Sequence, residues 1–449
     1  MTDSAPLFLV AARCLHDIVD RNKSLDVTLA DNASRIQSEE SARLRETVYG
    51  SCRFFCYLSS ILDEVLHKPI KRRNRLIHHL IVVGMYHIEF MHTPDHAVVN
   101  SCVNAAKSKW APWAGRLVNA ALRGFIRNKT QLLERVREDS DRLSVPVDLF
   151  ESIKSDWPDE AKAVLHASNQ RPPMTLRVNQ LRSSRSDYQI KLRSCGIDSQ
   201  LTECSRLGIT LETPCDVTNL PDFDNGMVSV QDESAQLSAD LLDLEPDAIV
   251  LDGCAAPGGK TGLILESGVK LNQLVAADLE LRIDLVDNTI RRLGFGDDPG
   301  ITMVPTGLFE QHPVLQTEYF DRIILDVPCS GTGVMRRHPD IRHRRQPGDF
   351  AKFADQQVLL LQRAWPLLKP GGKLLYITCS IQRIENDGVI SRFIKNMSEV
   401  EIEPLSLPDG AEPGVKTRHG HQRLPGIHHG DGFYFCRLRK PCTGKDGSA

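Results

Sequence analysis

No apolar run in the 449 residues is long enough to cross a bilayer, so no membrane partner is expected. The first twenty residues, MTDSAPLFLVAARCLHDIVD, lack a basic leader and carry acids inside their apolar stretch, unlike a secretory signal. The twelve cysteines include no CxxC pair and no zinc-finger spacing. Neither a disulfide scaffold nor a zinc ribbon is therefore expected. A reducing cytoplasm is the expected compartment, with most thiols acting as small buried apolar groups. Internal repeats and low-complexity segments are also missing, which excludes solenoid architectures. The net charge is only −3, so the chain as a whole is not a polycation.

What is present is an ordinary globular mix, 41% hydrophobic and 25% charged, long enough for roughly two to four domains. Charge is unevenly spread. Residues 1–145 hold 21 Lys and Arg against 16 Asp and Glu, and the remainder holds 34 against 42. A basic first part on an acidic body is compatible with a polyanion bound through the first part.

That first part reads as helix throughout. Leu7, Val10, Ala11, Cys14, Leu15 and Ile18 recur at spacings of three and four, the stripe of an amphipathic helix. Similar patterns cover Arg43 to Leu66, Asn74 to Met91, Ala97 to Lys107 and Ala114 to Asn128, which predicts a bundle. The run KRRNR at 71–75 opens the third helix and is a candidate RNA contact. From Arg171 the texture becomes that of a small α+β module. From Asp247 strands and helices alternate, the pattern of a doubly wound parallel sheet. The expected domains are 1–145 helical, 146–235 linker and α+β module, and 236–443 α/β, in a chain expected to be monomeric.

In such a sheet, ligands bind beyond the carboxyl ends of the strands. The first strand ends in Asp252 and runs into Cys254-Ala255-Ala256-Pro257-Gly258-Gly259-Lys260. The glycines let backbone approach a ligand, and the helix start at Lys260 favours a negative group. Asp278, twenty positions after Gly258, ends the second strand, where an acid can accept from ribose hydroxyls. The turn lacks GxGxxG, which weighs against a dinucleotide enzyme. Two later strands end in Asp326-Val327-Pro328-Cys329-Ser330 and Thr378-Cys379-Ser380. Both thiols are thus expected at the ligand-binding edge of neighbouring strands. Position alone does not say which is the nucleophile.

The strings VLDGCAAPGGKT, ILDVPCSGTGVMRRHPDI, LLKPGGKLLYITCSI with Glu385-Asn386, and LPGIHHGDGFYF resemble the RsmB (Sun, Fmu) branch of bacterial 16S rRNA cytosine-5 methyltransferases. The resemblance covers nearly the whole chain. It implies a NusB-like helical RNA-binding domain, a linking module that includes VQDESAQL, and a Rossmann-like domain that uses S-adenosylmethionine. It further implies that Cys254 to Lys260 line the methionine and ribose of the cofactor and that Asp278 holds the ribose. Asp326 would lie between cofactor and base, Cys379 would be the nucleophile, and Cys329 would help release the product. The implied substrate is the cytosine at position 967 of 16S rRNA. A tRNA or another rRNA site, or a non-catalytic RNA-binding assembly factor, are the alternatives.

Two departures stand out. Thr306 and Gly307 occupy the place where the family usually shows an acid near the adenine, and Gly253 stands where a bulkier residue is common. The basic run RRHPDIRHRR, 336–345, is expected to hold phosphates beside the target base. His419, His421, His428 and His429 lack metal-ligand spacing and are expected in a polar loop near the substrate, so no metal is predicted.

Overall fold

The spacing of Leu7, Val10, Cys14, Leu15 and Ile18 becomes the buried face of α1, Ala5–Arg21. The computed structural model describes residues 5–110, 112–136, 139–306, 311–397 and 399–442. The helix α1 is followed by α2 (Leu25–Asn32), α3 (Ser41–Arg53), α4 (Phe55–Val65), α5 (Arg75–Glu89), α6 (Asp95–Lys109) and α7 (Pro112–Arg135). The most deeply placed helix is α5: Ile77 and every residue from His79 to Ile88 are buried. It packs against α1, α3, α4, α6 and α7. Three shorter helices follow, α8 (Asp139–Arg142), α9 (Val147–Asp156) and α10 (Ala161–Ser168).

Two local features differ from expectation. The single helix expected from Arg43 to Leu66 is broken at Phe54, whose φ of −102° and ψ of 19° leave the helical range. The Phe54 ring stacks on Phe90, with centroids 4.0 Å apart. The break lets α3 face α1 and α5 while α4 turns toward α7. The helix α2 was not anticipated; the Ser24 hydroxyl caps it by accepting from the Val27 N–H.

The chain divides into two compact units. One holds the described residues up to Arg171 together with Met335–Pro347, and the other holds Pro172–Val334 and Gly348 onward. The basic run 336–345 therefore belongs to the helical unit. There it corrects the expectation of a phosphate-holding loop. Arg342, in the short helix Ile341–Arg344, is fully buried. Its guanidinium donates to the carbonyls of Arg53, Ser144 and Ser168 and to Asn169 Oδ1, at 2.8 to 3.2 Å. Arg53 donates to the Arg336 carbonyl at 2.8 Å, and the His343 ring lies 2.8 Å from the Cys52 carbonyl. Burial lowers the Arg342 pKa to about 10. These side chains close backbone carbonyls inside the unit.

The second unit begins with an antiparallel sheet of β1 (Met174–Val178), β2 (Ser199–Leu201), β3 (Gly208–Leu211) and β4 (Val228–Val230), ordered β2-β3-β1-β4. The larger sheet contains β5 (Ile249–Asp252), β6 (Gln273–Ala277), β7 (Ile301–Val304), β8 (Phe320–Asp326) and β9 (Leu368–Thr378), all parallel to one another. Four further strands, β10 (Glu401–Glu403), β11 (Val415–Lys416), β12 (His421–Arg423) and β13 (Phe433–Arg439), add an antiparallel flank beside β9. Every residue of β5 is buried, as a central parallel strand covered on both faces requires.

From β5 the chain steps outward through β6 to β7, then returns to lay β8 on the other side of β5 and β9 beyond it. The order reverses between β5 and β8. Such a reversal opens a crevice at the carboxyl ends of the two strands, where Asp252 and Asp326 lie.

Candidate active site

The turn after β5 is shaped by its glycines and by Asp278. Gly258 has φ +96°, in the left-handed region, and a Cβ there would lie 2.9 Å from Thr289. Gly259 then opens a short helix, Gly259–Leu265. Ala255 donates its N–H to the Ala277 carbonyl, and Ala256 donates to Asp278 Oδ2 at 2.8 Å. The Pro257 carbonyl accepts from Thr289 Oγ1. Asp278 is buried, also accepts from the Leu279 N–H, and has Arg282 at 3.5 Å. The structure thus brings the 254–260 turn and Asp278 to one place.

Lys260 contributes more than a helix start. Its buried amine is paired with Asp326 and sits 5.5 Å over the Phe433 ring. Asp252 is fully buried; its Oδ2 accepts from Thr261 Oγ1, while Oδ1 has no partner. Burial pushes its pKa up to about 6, against the pull of the Thr261 hydrogen bond and the Lys260 charge. Burial also raises the Cys254 thiol, and the three nearby carboxylates raise it further. Three acids, Asp252, Asp278 and Asp326, outnumber Lys260 and Arg282, and one buried carboxylate oxygen is unpartnered, an arrangement that suits a ligand bearing positive charge.

At the neighbouring strand ends, β8 and β9 pair Asp326 with Ile377. Three residues beyond Asp326 and two beyond Ile377 stand the partly buried Cys329 and Cys379, with their sulfurs 3.3 Å apart. The hydrogen bond to Cys379 pushes the Cys329 thiol well above the ordinary range, and burial and nearby carboxylates add to it.

A buried polar network fixes both cysteine loops. Glu385 accepts from the Ser330 N–H at 2.8 Å, from Ser380 Oγ at 2.8 Å and from Gln357 Nε2 at 3.1 Å. It therefore grips the residue after each cysteine. Burial raises its pKa, although these hydrogen bonds pull the other way. Gln357 also donates to the Pro328 carbonyl, and Asn386 donates to the Ser380 carbonyl. Gly333 donates its N–H to the Cys379 carbonyl, and a Cβ at Gly333 would lie 2.2 Å from the Gly432 carbonyl oxygen. Sequence reading noted Glu385-Asn386 without a role, because nothing in the string shows its partners.

Arg177 was also missed. It is buried on β1 and donates to Glu266 at 2.7 Å, to Gln231 at 2.6 Å and to the Gly259 carbonyl at 2.7 Å. The small sheet thereby holds the first residue of the turn's helix. Thr306 bridges to Leu279, whereas Gly307 lies outside the described residues. The late histidines are spread out. His419 bonds Ser391, His421 is buried on β12, His428 accepts from the Leu424 N–H, and His429 lies 3.3 Å from Glu203.

Comparison with known proteins places this geometry. Residues 239–439 match the 16S rRNA methyltransferase RsmB/F family, 145–218 the RsmF/B-like ferredoxin-like domain, and 9–127 the NusB family. The chain is 37% identical to the ribosomal RNA small subunit methyltransferase B of Pseudomonas syringae pv. tomato, over 98% of each protein. The chain belongs to the RsmB/F family. The crystal structure of PH0851 shares the fold with a TM-score of 0.78 at 21% identity, over 98% of this chain and 99% of that one. NSun6 from Pyrococcus horikoshii with SFG shares it with a TM-score of 0.57 at 20% identity, over 66% of this chain and 98% of that one. The fold is the expected one: a NusB-like helical bundle, a small α+β module and a Rossmann-like methyltransferase domain. The cofactor is S-adenosylmethionine, whose sulfonium and ammonium carry the positive charge that the acid-rich crevice suits.

Proposed function

We propose that this RsmB/F member methylates carbon 5 of a cytosine in 16S rRNA, at position 967, through a covalent bond between Cys379 and the base. The observation that carries this reading is the pair of sulfurs, 3.3 Å apart, at the carboxyl ends of adjacent strands beside the crevice.

Carbon 5 of cytosine is too weak a nucleophile to take a methyl group unaided. A Cys379 thiolate adding to carbon 6 forms an S–C6 bond and pushes electron density to carbon 5. The cofactor supplies the methyl group that carbon 5 then captures. Transfer of the carbon-5 proton to a water molecule reforms the C5–C6 double bond as the S–C6 bond breaks and its electron pair returns to Cys379. Attack is given to Cys379 by the family resemblance, and Cys329, with its sulfur 3.3 Å away, is within reach to protonate or hydrogen-bond the departing thiolate. Asp326, fixed by Lys260 and one-third exposed, is placed to bond the ring nitrogen or amine of the base. In this reading Cys254 to Lys260 and Asp278 hold the methionine and ribose of the cofactor. Residues 1–145 bind RNA, 146–235 link, and 236–443 carry the chemistry.

Bisulfite sequencing of rRNA and tRNA from a deletion strain tests the assignment. Loss of the signal at cytosine 967 of 16S rRNA alone is the expected result. Loss at a tRNA or another rRNA position, or no loss, overturns it.

A further inference from the structure

The basic run at 71–75 lies at the edge of a cavity of about 570 Å³ in the helical unit. Four separate stretches supply the walls. Arg13 comes from α1, Arg35 follows α2, and Arg72 and Arg73 occupy the turn before α5. Lys109 and Trp110 come from the end of α6. The unit therefore gathers cations that are far apart in sequence.

Their charge is largely uncompensated. Arg21 is paired with Asp17 at 3.0 Å, and Arg75 with Asp20 at 2.7 Å. Asp20 is shared with His79 and His16, so it has nothing left for the other cations. Arg13, Arg35, Arg72, Arg73 and Lys109 have no carboxylate partner among the described residues. Five unpaired cations around one cavity repel one another, and an anion seated there would relieve that repulsion. Four of the five are arginines, whose planar fork matches the oxygens of a phosphate. Trp110 is partly buried against the bundle core and also lines the cavity, so its ring is held in place as a stacking surface.

We infer that this cavity is a binding site for the phosphodiester backbone of single-stranded RNA, with a base stacked on Trp110. The inference rests on the reading of the chain as an rRNA methyltransferase. An acidic protein segment would satisfy the charges, but it would use neither the phosphate-matching forks nor the ring.

The test compares Arg72→Ala/Arg73→Ala with Arg45→Ala/Arg116→Ala, which removes equal charge from exposed positions elsewhere on the bundle. Binding of oligouridylate and of a 16S rRNA transcript is measured against salt, with helical circular dichroism and its thermal melt as a fold control. Each phosphate contact on a single strand releases about 0.7 counterion, so two lost contacts weaken binding about 25-fold near 0.1 M salt. The log–log salt slope should shrink by about 1.4. The Arg45/Arg116 variant should bind within about twofold of wild type, a bound set well below that 25-fold loss. Equal RNA binding by the two variants overturns the site. A loss of poly-glutamate binding with RNA binding unchanged overturns it in favour of an acidic protein. Wild-type protein that binds no RNA at all would instead sink the underlying substrate reading.

Discussion

The sulfurs of Cys329 and Cys379 lie 3.3 Å apart at the ends of two parallel neighbours, β8 and β9. The hydrogen bond between them, with burial, pushes the Cys329 thiol well above the ordinary range. The strand register that aligns Asp326 with Ile377 is what brings the two together.

Glu385 should act as a positioning residue, since it holds Ser330 and Ser380 rather than the reacting atoms. Glu385→Ala leaves a buried N–H and a buried hydroxyl without their acceptor, costing about 1–3 kcal/mol of stability. Misplacement of both cysteines should lower kcat about 100-fold. Glu385→Gln keeps the shape and an acceptor, so it should recover most of kcat with an unchanged cofactor affinity. Single-turnover methylation and urea denaturation check this; an Ala variant as active as wild type contradicts it.

Asp252 predicts two opposite pH trends. Its folded pKa, about 6, exceeds the ordinary carboxylate value because of burial. Below the unfolded pKa the group is neutral in both states and its contribution is fully present. That contribution is lost as pH rises through about 6, by at most about 3 kcal/mol. Binding of a cationic ligand favours the ionised form, so S-adenosylmethionine affinity should rise over the same range. Asp252→Asn should flatten both curves. Denaturation and calorimetric titration between pH 4 and about 8 read them out.

Arg177 and Glu266 are both buried, so breaking the pair should be worse than removing it. Arg177→Met strands a buried carboxylate and should cost about 3–5 kcal/mol. Adding Glu266→Met should recover much of that. Because Arg177 also holds the Gly259 carbonyl, both variants should bind cofactor more weakly. Thermal denaturation with and without cofactor tests both statements.

Much of the site was legible because its chemistry sits in contiguous strings. The 254–260 turn, Asp278 and the two Cys-Ser pairs follow strand ends, and alternating strands and helices place strand ends on one edge. What was not legible depends on distant partners. Nothing local distinguishes Arg342, buried on four acceptors from Arg53, Ser144, Ser168 and Asn169, from a solvated arginine in a basic run. The break at Phe54 involves no glycine or proline and reflects tertiary stacking on Phe90. The pairing of Lys260 with Asp326 joins the helix Gly259–Leu265 to the end of β8, elements that only the fold makes adjacent.

The proposed nucleophile is tested most directly by incubating Cys329→Ala with 16S rRNA and S-adenosylmethionine, then analysing the products by denaturing gel and peptide mass spectrometry. The expected result is a slow-migrating protein–RNA species whose cross-linked residue is Cys379, absent from the Cys329→Ala/Cys379→Ala double variant. No adduct, or an adduct on another residue, would contradict the assignment, as would a Cys379→Ala protein that still methylates cytosine at the wild-type rate.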